Sequence, residues 1–397
     1  MANRIAPARP DAIRRHNLAL TLDQIHHDGA LTRAELTRRL GMSRSTVGGL
    51  VADLAELGIV AESVPSGSAR AGRPSHVVAP AHNGPYVLAI DLDVTGVTVA
   101  AVGIAGRILA RAGAEWPKSG PPSAERAGNV AVELLTSVEQ PSASSAVVGI
   151  GVSVPGTVDD PSGTVRFAPN LDWHCVPFAQ ILRRRLPGTA PLHLGNDADL
   201  AVLAEHRRGS GRGVEELVFL IGRVGLGAGI MVNGQVLQGR SGRAGEIGHV
   251  VVDIRGPRCH CGRRGCLETY VGDAALLTLA RRAGPPTAAN VAAVFAAARD
   301  GERLANTAIR KVARSLGRGI AALVNTLDPH RILLGGSLAG VLELAEPQLL
   351  EAVDRFVFGD APRVAIAPAA LGADSALVGA AEIAFESLLA DPYSVAN

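Results

Sequence analysis

The sequence predicts an α/β protein, with a winged helix-turn-helix in front of a two-lobed α/β body. Residues 11–64 space apolar side chains as short helices do, with a glycine turn inside LTRAELTRRLGMSRSTVGGL. From Val87 onward, apolar β-branched runs alternate with helical stretches over about 300 residues. Between these regions, PSGSARAGRPSH (65–76) has no apolar periodicity and is rich in Pro, Gly and Ser, so it reads as a loop or linker. A chain of 397 residues, 47% hydrophobic and 19% charged, is large enough for two or three buried cores and too apolar to be disordered.

Thr32 followed by Glu35 is a capping box, which predicts a helix running to about Leu40. Gly41 then supplies a tight turn, and Ser43 can cap a second helix beginning Arg44, Ser45, Thr46. Two short helices joined this way form a helix-turn-helix, whose second helix directs its first residues at base edges in the major groove. Ser43, Arg44, Ser45 and Thr46 are the candidate DNA contacts. Gly48 and Gly49 each cost about 1 kcal/mol inside a helix. Either that helix is short, or backbone must approach something there.

After Val60 a two-stranded wing is expected, with Arg70 and Arg73 at its tip, where an extended Arg can enter a narrow minor groove. Taken alone, AGRPS reads as a linker; beside the helix-turn-helix and the local charge it reads as a DNA contact. Residues 1–80 carry ten arginines and seven acids, so the net charge of +2 resides in the N-terminal part. Lys118 and Lys311 are the chain's two lysines, so a lone arginine carries little information.

No apolar run is long enough to cross a bilayer, and MANRIAPARP lacks a signal peptide's apolar stretch, so a cytoplasmic protein without a membrane partner is expected. A reducing compartment disfavours disulfides. Cys259, Cys261 and Cys266 have C-x-C-x4-C spacing, with His249 ten residues upstream. Three thiolates and one imidazole form a closed, structural zinc site. His260 is a competing nitrogen, strained by lying between two liganding cysteines, and Gly262 and Gly265 supply the turns a short chelate needs. Cys175 stands alone and reads as packing.

The stretch AGEIGHVVVDIRGPRCHCGRRGCLETY resembles the signature of the ROK family (repressors, open reading frames and sugar kinases). The resemblance extends through SVPGTVDDPSGTVRFAPNLDW, NDADLAVLAEH, ILLGGSL and DSALVGAA, and with the helix-turn-helix in front it is similar to the family's transcriptional-regulator branch. It implies an actin-like, two-lobed ATPase fold: residues 1–80 for the DNA-binding domain with wing and linker, 84–196 plus 380–397 for a smaller lobe, and 197–379 for a larger lobe with the zinc site. It also implies a sugar in the cleft, hydrogen-bonded by Asn170, Asn196, Asp197, Glu246, His249 and Glu268. Carboxylates and amides suit this, because a hydroxyl both donates and accepts. The zinc would fix the loop carrying His249 and Glu268.

In the family's kinases Asp197 would be the general base, and two glycine-rich turns would cradle ATP phosphates. The first turn, approximately D-x-G-G-T in those kinases, is here Asp91-Leu92-Asp93-Val94-Thr95. Val94 adds bulk, and Asp93 adds a repulsion of about 1–4 kcal/mol per charge pair at a separation near 4 Å. The second turn keeps Gly225, Gly227 and Gly229 but has Val224 for a threonine, and GGS at 335–337 resembles the adenosine-side turn. The expectation is a sugar-responsive repressor of carbohydrate-metabolism genes that does not use ATP and is not an enzyme. Its partners would be operator DNA and a sugar or sugar phosphate, and it would act as a homodimer or dimer of dimers. The alternative is an ATP-dependent, glucokinase-like sugar kinase with a DNA-binding appendage.

Overall fold

The computed structural model describes residues 10–64, 76–117, 122–138, 145–186, 188–359 and 363–396. Helices α1 (Pro10–Asp28), α2 (Arg33–Leu40) and α3 (Arg44–Glu56) come first. At the start of α2 the Thr32 hydroxyl accepts from the Glu35 N–H (3.2 Å), and the Glu35 carboxylate accepts from the Thr32 N–H (2.8 Å). Gly41, with φ 63°, closes the helix, and the Ser43 hydroxyl accepts from the Thr46 N–H to open α3. The expected trade-off at Gly48 and Gly49 resolves against a short helix, because α3 continues through both. A Cβ at Gly48 would make only an ordinary 3.5 Å contact with the Arg33 guanidinium and one at Gly49 would meet nothing, so nothing in the structure explains either glycine. Strands β1 (Leu31–Thr32), β2 (Val60–Ser63) and β3 (Val77–Pro80) form an antiparallel sheet in the order β1-β3-β2. The wing strands are therefore present. Arg70 and Arg73 lie outside the described residues.

The body repeats one scheme, an antiparallel hairpin joined to parallel strands. Strands β4 (Tyr86–Leu92), β5 (Gly96–Gly103) and β6 (Arg107–Glu115) form a meander, followed by α4 (Ala124–Ser137) and β7 (Val147–Val154). A small sheet of β8 (Thr157–Asp159), β9 (Thr164–Ala168) and β10 (Trp173–Val176) then leads to α5 (Phe178–Arg183) and β11 (Leu192–Asn196). The first large sheet has the order β11-β7-β4-β5-β6, with β11, β7 and β4 parallel.

Helix α6 (Asp197–Arg208) crosses to the second lobe, where β12 (Leu217–Gly222), β13 (Leu226–Val232) and β14 (Gln235–Val236) precede α7 (Glu268–Val271), α8 (Asp273–Leu279), α9 (Ala288–Arg299) and α10 (Arg303–Leu327). Then come β15 (Arg331–Gly336), α11 (Ser337–Phe356), β16 (Ala365–Pro368) and α12 (Ser375–Ala390). The second sheet has the order β14-β13-β12-β15-β16. Two such units, each carrying helices on its faces, make the actin-like fold. Gly229 in β13 seats α6, since a Cβ there would lie 2.2 Å from the Ala198 carbonyl oxygen.

The winged-helix unit is not a module on a tether. Leu18, Leu22 and Ile25 of α1 share one apolar core with Val87, Ala89 and Val102 of the first sheet and with Phe385 and Leu388 of α12. Among the described residues, no helix is long and apolar enough to cross a membrane.

Candidate functional site

Between the lobes lies a cavity of about 430 Å³, a size that suits a small ligand. Asn170, Asn196, Asp197, Glu246, His249 and Glu268, far apart in sequence, all line it. Asn170 sits in the turn after β9, Asn196 and Asp197 at the β11–α6 junction, Glu246 and His249 on one turn before the cysteine loop, and Glu268 at the start of α7.

These side chains are not equally free. The Asn196 carbonyl oxygen accepts from the Ala198 (2.9 Å) and Asp199 (3.2 Å) N–H groups, capping α6, while its amide donates to the Gly156 carbonyl (2.9 Å). Asn196 therefore has at most one spare N–H for the cavity. Asp197 follows it with one oxygen accepting from the Ala198 N–H at 3.0 Å. Burial pushes the Asp197 carboxyl up to about 6, with Arg223 pulling the other way, and its oxygens can accept a hydrogen bond from a ligand hydroxyl. Glu246 is raised as well, chiefly by burial.

Against one wall stands the cysteine loop. The Nδ1 or Nε2 of His249 and the sulfurs of Cys259, Cys261 and Cys266 lie within 4.8 Å of one another. The Cys261–Cys266 sulfurs are 3.6 Å apart, and Cys259 Sγ is 3.6 Å from His249 Nδ1. Tetrahedral zinc with Zn–S near 2.3 Å needs edges of about 3.7 Å, so the donor set fits such an ion. Burial pushes the Cys259 and Cys266 thiols up, so a bound cation is what would strip their protons at neutral pH. His260 points to solvent and takes no part. Gly265 is obligatory: at φ 70°, a Cβ there would meet the Asp253 carbonyl at 1.6 Å.

His249 faces both neighbours. Its Nδ1 looks at Cys259 and at Glu268 Oε1 (3.6 Å), and its Nε2 at Glu246 (3.8 Å), so one ring edge serves the cysteines and the other the cavity. Glu268 also accepts from the Cys259 thiol at 2.6 Å. Cys175, expected to be packed, is instead exposed, on a backbone turned to φ 50°.

Sequence reasoning missed Arg223. This residue leaves β12 and donates from Nη1 to Asp93 Oδ2 at 2.9 Å, with Asp197 Oδ2 at 3.8 Å. The expected repulsion from Asp93 is thereby corrected, because that charge is paired across the cleft. Only proximity in the fold, between residues 130 apart, could have revealed it. On the winged helix, Ser43, Arg44, Ser45 and Thr46 are all exposed at the first turn of α3, where Ser43 Oγ also contacts Ser45 and Thr46 hydroxyls at 2.8 Å. Arg44 forms no ion pair among the described residues.

Residues 87–387 match the ROK family and residues 19–71 the MarR family. The xylose repressor of Caldicellulosiruptor bescii is 28% identical over 356 residues, 86% of this chain and 88% of that protein. A solved ROK family transcriptional regulator, a homolog of the Escherichia coli MLC protein, superposes with a TM-score of 0.74 at 23% identity, covering 97% of this chain and 100% of that one. A ROK family glucokinase from Streptomyces griseus, in complex with glucose and AMPPNP, superposes with a TM-score of 0.66 at 30% identity, covering 75% of this chain and 99% of that one. The likeness to the regulator takes in the winged helix, whereas the kinase matches the body.

Proposed function

The chain belongs to the ROK family, and from that premise we propose that it is a sugar-responsive transcriptional repressor of carbohydrate-metabolism genes. The observation that carries the reading is α6. Its first residue lines the cavity, and its last two, Arg207 and Arg208, bond to Glu382 of α12, with Arg208 also donating to the His26 carbonyl of α1 at 3.1 Å. One helix of twelve residues, about 18 Å long, thus joins the ligand cleft to the DNA-binding unit.

Asn170, Asp197, Glu246, His249 and Glu268 are the proposed hydroxyl partners, with Asn196 holding the helix that presents Asp197. His249 through Nδ1, with Cys259, Cys261 and Cys266, would hold a structural Zn²⁺. That ion supplies rigidity rather than chemistry, fixing the turn and loop that carry His249 and Glu268. With Cys259 a thiolate, Glu268 has no proton to accept there and is left to the sugar. Exposed Ser43, Arg44, Ser45 and Thr46 would read operator DNA, and a C2 homodimer would match a palindromic site.

The body's likeness to a glucokinase and the Asn196-Asp197 pair favour a second reading as a kinase. Val94 in the first phosphate turn and the Asp93–Arg223 pair support the repressor instead. A thermal-shift screen of free and phosphorylated sugars tests the proposal: a ligand at about 100 times its Kd stabilises by about 2.7 kcal/mol. Glu268→Gln is expected to abolish that shift while metal content stays unchanged. ATP-dependent turnover that Asp197→Asn removes would establish the kinase.

A further inference from the structure

A second cavity of about 760 Å³ adjoins the first, and the two share Asp93, Ile221, Arg223 and Val224 as their common wall. Asp91 and Asp273 line the second cavity, each only 8% exposed, and each has an Oδ1 with no hydrogen-bond partner. Buried carboxylate oxygens without partners are costly, and a cluster of them calls for a cation. The cation present is the Arg223 guanidinium. The Arg223 backbone carbonyl accepts from the Asp273 N–H (3.0 Å), and its Nη1 bonds Asp93 Oδ2 and lies 3.8 Å from Asp197 Oδ2. The Asp93 turn is itself fixed: Oδ1 accepts from the Thr95 N–H at 3.3 Å, and the Asp93 carbonyl accepts from Trp116 Nε1 at 2.8 Å.

We propose that Arg223 is a resident cation standing where a metal-bound polyphosphate would have to sit, and that with Asp93 it partitions the cleft so that a sugar binds without a phosphoryl donor. The proposal rests on the reading of the first cavity as a sugar site and adds what sets its selectivity. Burial draws protons from the guanidinium, but the charges of Asp93, Asp91, Asp197 and Asp273 outweigh it and hold the group more firmly protonated than free arginine. Its charge is therefore permanent. Divalent cations such as Mg²⁺ choose carboxylate and phosphate oxygens, and with Arg223 in place they meet a like charge. The same side chain bridges the two lobes at Asp93.

Melting of the full-length protein, with MgCl₂ alone and with MgCl₂ plus AMPPNP, tests the idea. The wild type is expected not to respond. Arg223→Met keeps the stem and removes the charge, and it is expected to gain at least about tenfold in apparent affinity for Mg²⁺–AMPPNP, while Arg223→Lys stays silent. Should Arg223→Met fold only when Mg²⁺ is supplied, that too supports the proposal, since the ion then replaces the guanidinium. A folded Arg223→Met that ignores both additions overturns it, as does an Arg223→Met that neither addition restores, or a wild type that responds equally. Sugar-dependent melting of the wild type is read in the same plates. A sugar response beside a silent Arg223→Met sinks this inference alone, whereas no sugar response from any protein sinks the reading of the site.

Discussion

Glu382→Ala probes how the DNA-binding unit is joined to the body. Glu382 is fully buried on α12 and accepts from His26 Nε2 (3.1 Å), Arg207 Nη1 (2.9 Å) and Arg208 Nε (2.5 Å). The His26 Nδ1 lies 3.3 Å from the Ala105 N–H and its Nε2 lies 2.7 Å from Arg208 Nη2 as well as facing Glu382, and burial holds that ring's pKa below its ordinary value, so it stays neutral. Burial alone would raise the Glu382 carboxyl, but the His26 bond and the two guanidinium charges outweigh it and hold it well below the usual carboxylate range. Deleting the carboxylate strands Arg208, whose side chain is 11% exposed, while Arg207 at 27% can turn toward water. Breaking a buried charged cluster costs about 3–5 kcal/mol, and the escape of Arg207 puts the expected loss near the lower figure, about 3 kcal/mol.

In a chain with several cores that loss is local, so the assay is amide exchange resolved by segment. Exchange in α1 should accelerate roughly 150-fold while α10 is unchanged, since each factor of ten corresponds to about 1.4 kcal/mol. Acid should act in the same direction. A carboxylate with a depressed folded-state pKa contributes stability that is full above its unfolded value of 4.5 and is lost progressively as pH falls from there through the lower folded-state value. A histidine buried neutral loses stability as pH falls below 6.5, where the unfolded ring gains a proton and the folded one resists. Exchange in α1 of Glu382→Ala within about threefold of wild type would refute the joint as drawn.

Cys261→Ser should lose bound zinc by elemental analysis, and its sugar-induced melting shift with it, while operator binding persists; full metal occupancy would contradict the four-ligand cluster. Arg44→Ala should weaken operator affinity by about 1–3 kcal/mol in a salt titration, and unchanged binding at every salt concentration would remove Arg44 from the interface. Burial pushes Asp91 up to about 7 from 3.8, so the folded state prefers the protonated form and stability falls as pH climbs between those values. Asp91→Asn should flatten that slope and stabilise the protein by up to about 4 kcal/mol at about pH 8; parallel denaturation curves for the two proteins would show that Asp91 ionises normally.

What the sequence reveals here is what local chemistry decides. Thr32 with Glu35, and Ser43 with Thr46, are partners three residues apart, so their caps are legible before any tertiary contact forms. The three clustered cysteines likewise converge within one short loop, and His249 lies only ten residues before the first of them. Residues joined by the fold are another matter. Asp93 and Arg223 lie 130 positions apart and His26 and Glu382 lie 356 apart, and nothing in either neighbourhood names the other. Asn196 shows a third case, a residue rightly placed at the cavity whose carbonyl the start of α6 had already claimed. Cys175 was misplaced because the backbone of β10 turns to φ 50° there, which breaks the strand's alternation and leaves the side chain exposed beside His174, a local irregularity that residue type does not announce.

Helix α6 makes the geometry of the cleft hard to keep private. An α-helix held by its own hydrogen bonds bends little, so it transmits tilt much as an axle does: pivoting it by about 5° at Asp197 sweeps the far end through about 1.5 Å. Because that end is clamped to Glu382 of α12 and to His26 of α1, any tilt set at the Asp197 carboxylate would be carried to the helix on which the N-terminal unit packs.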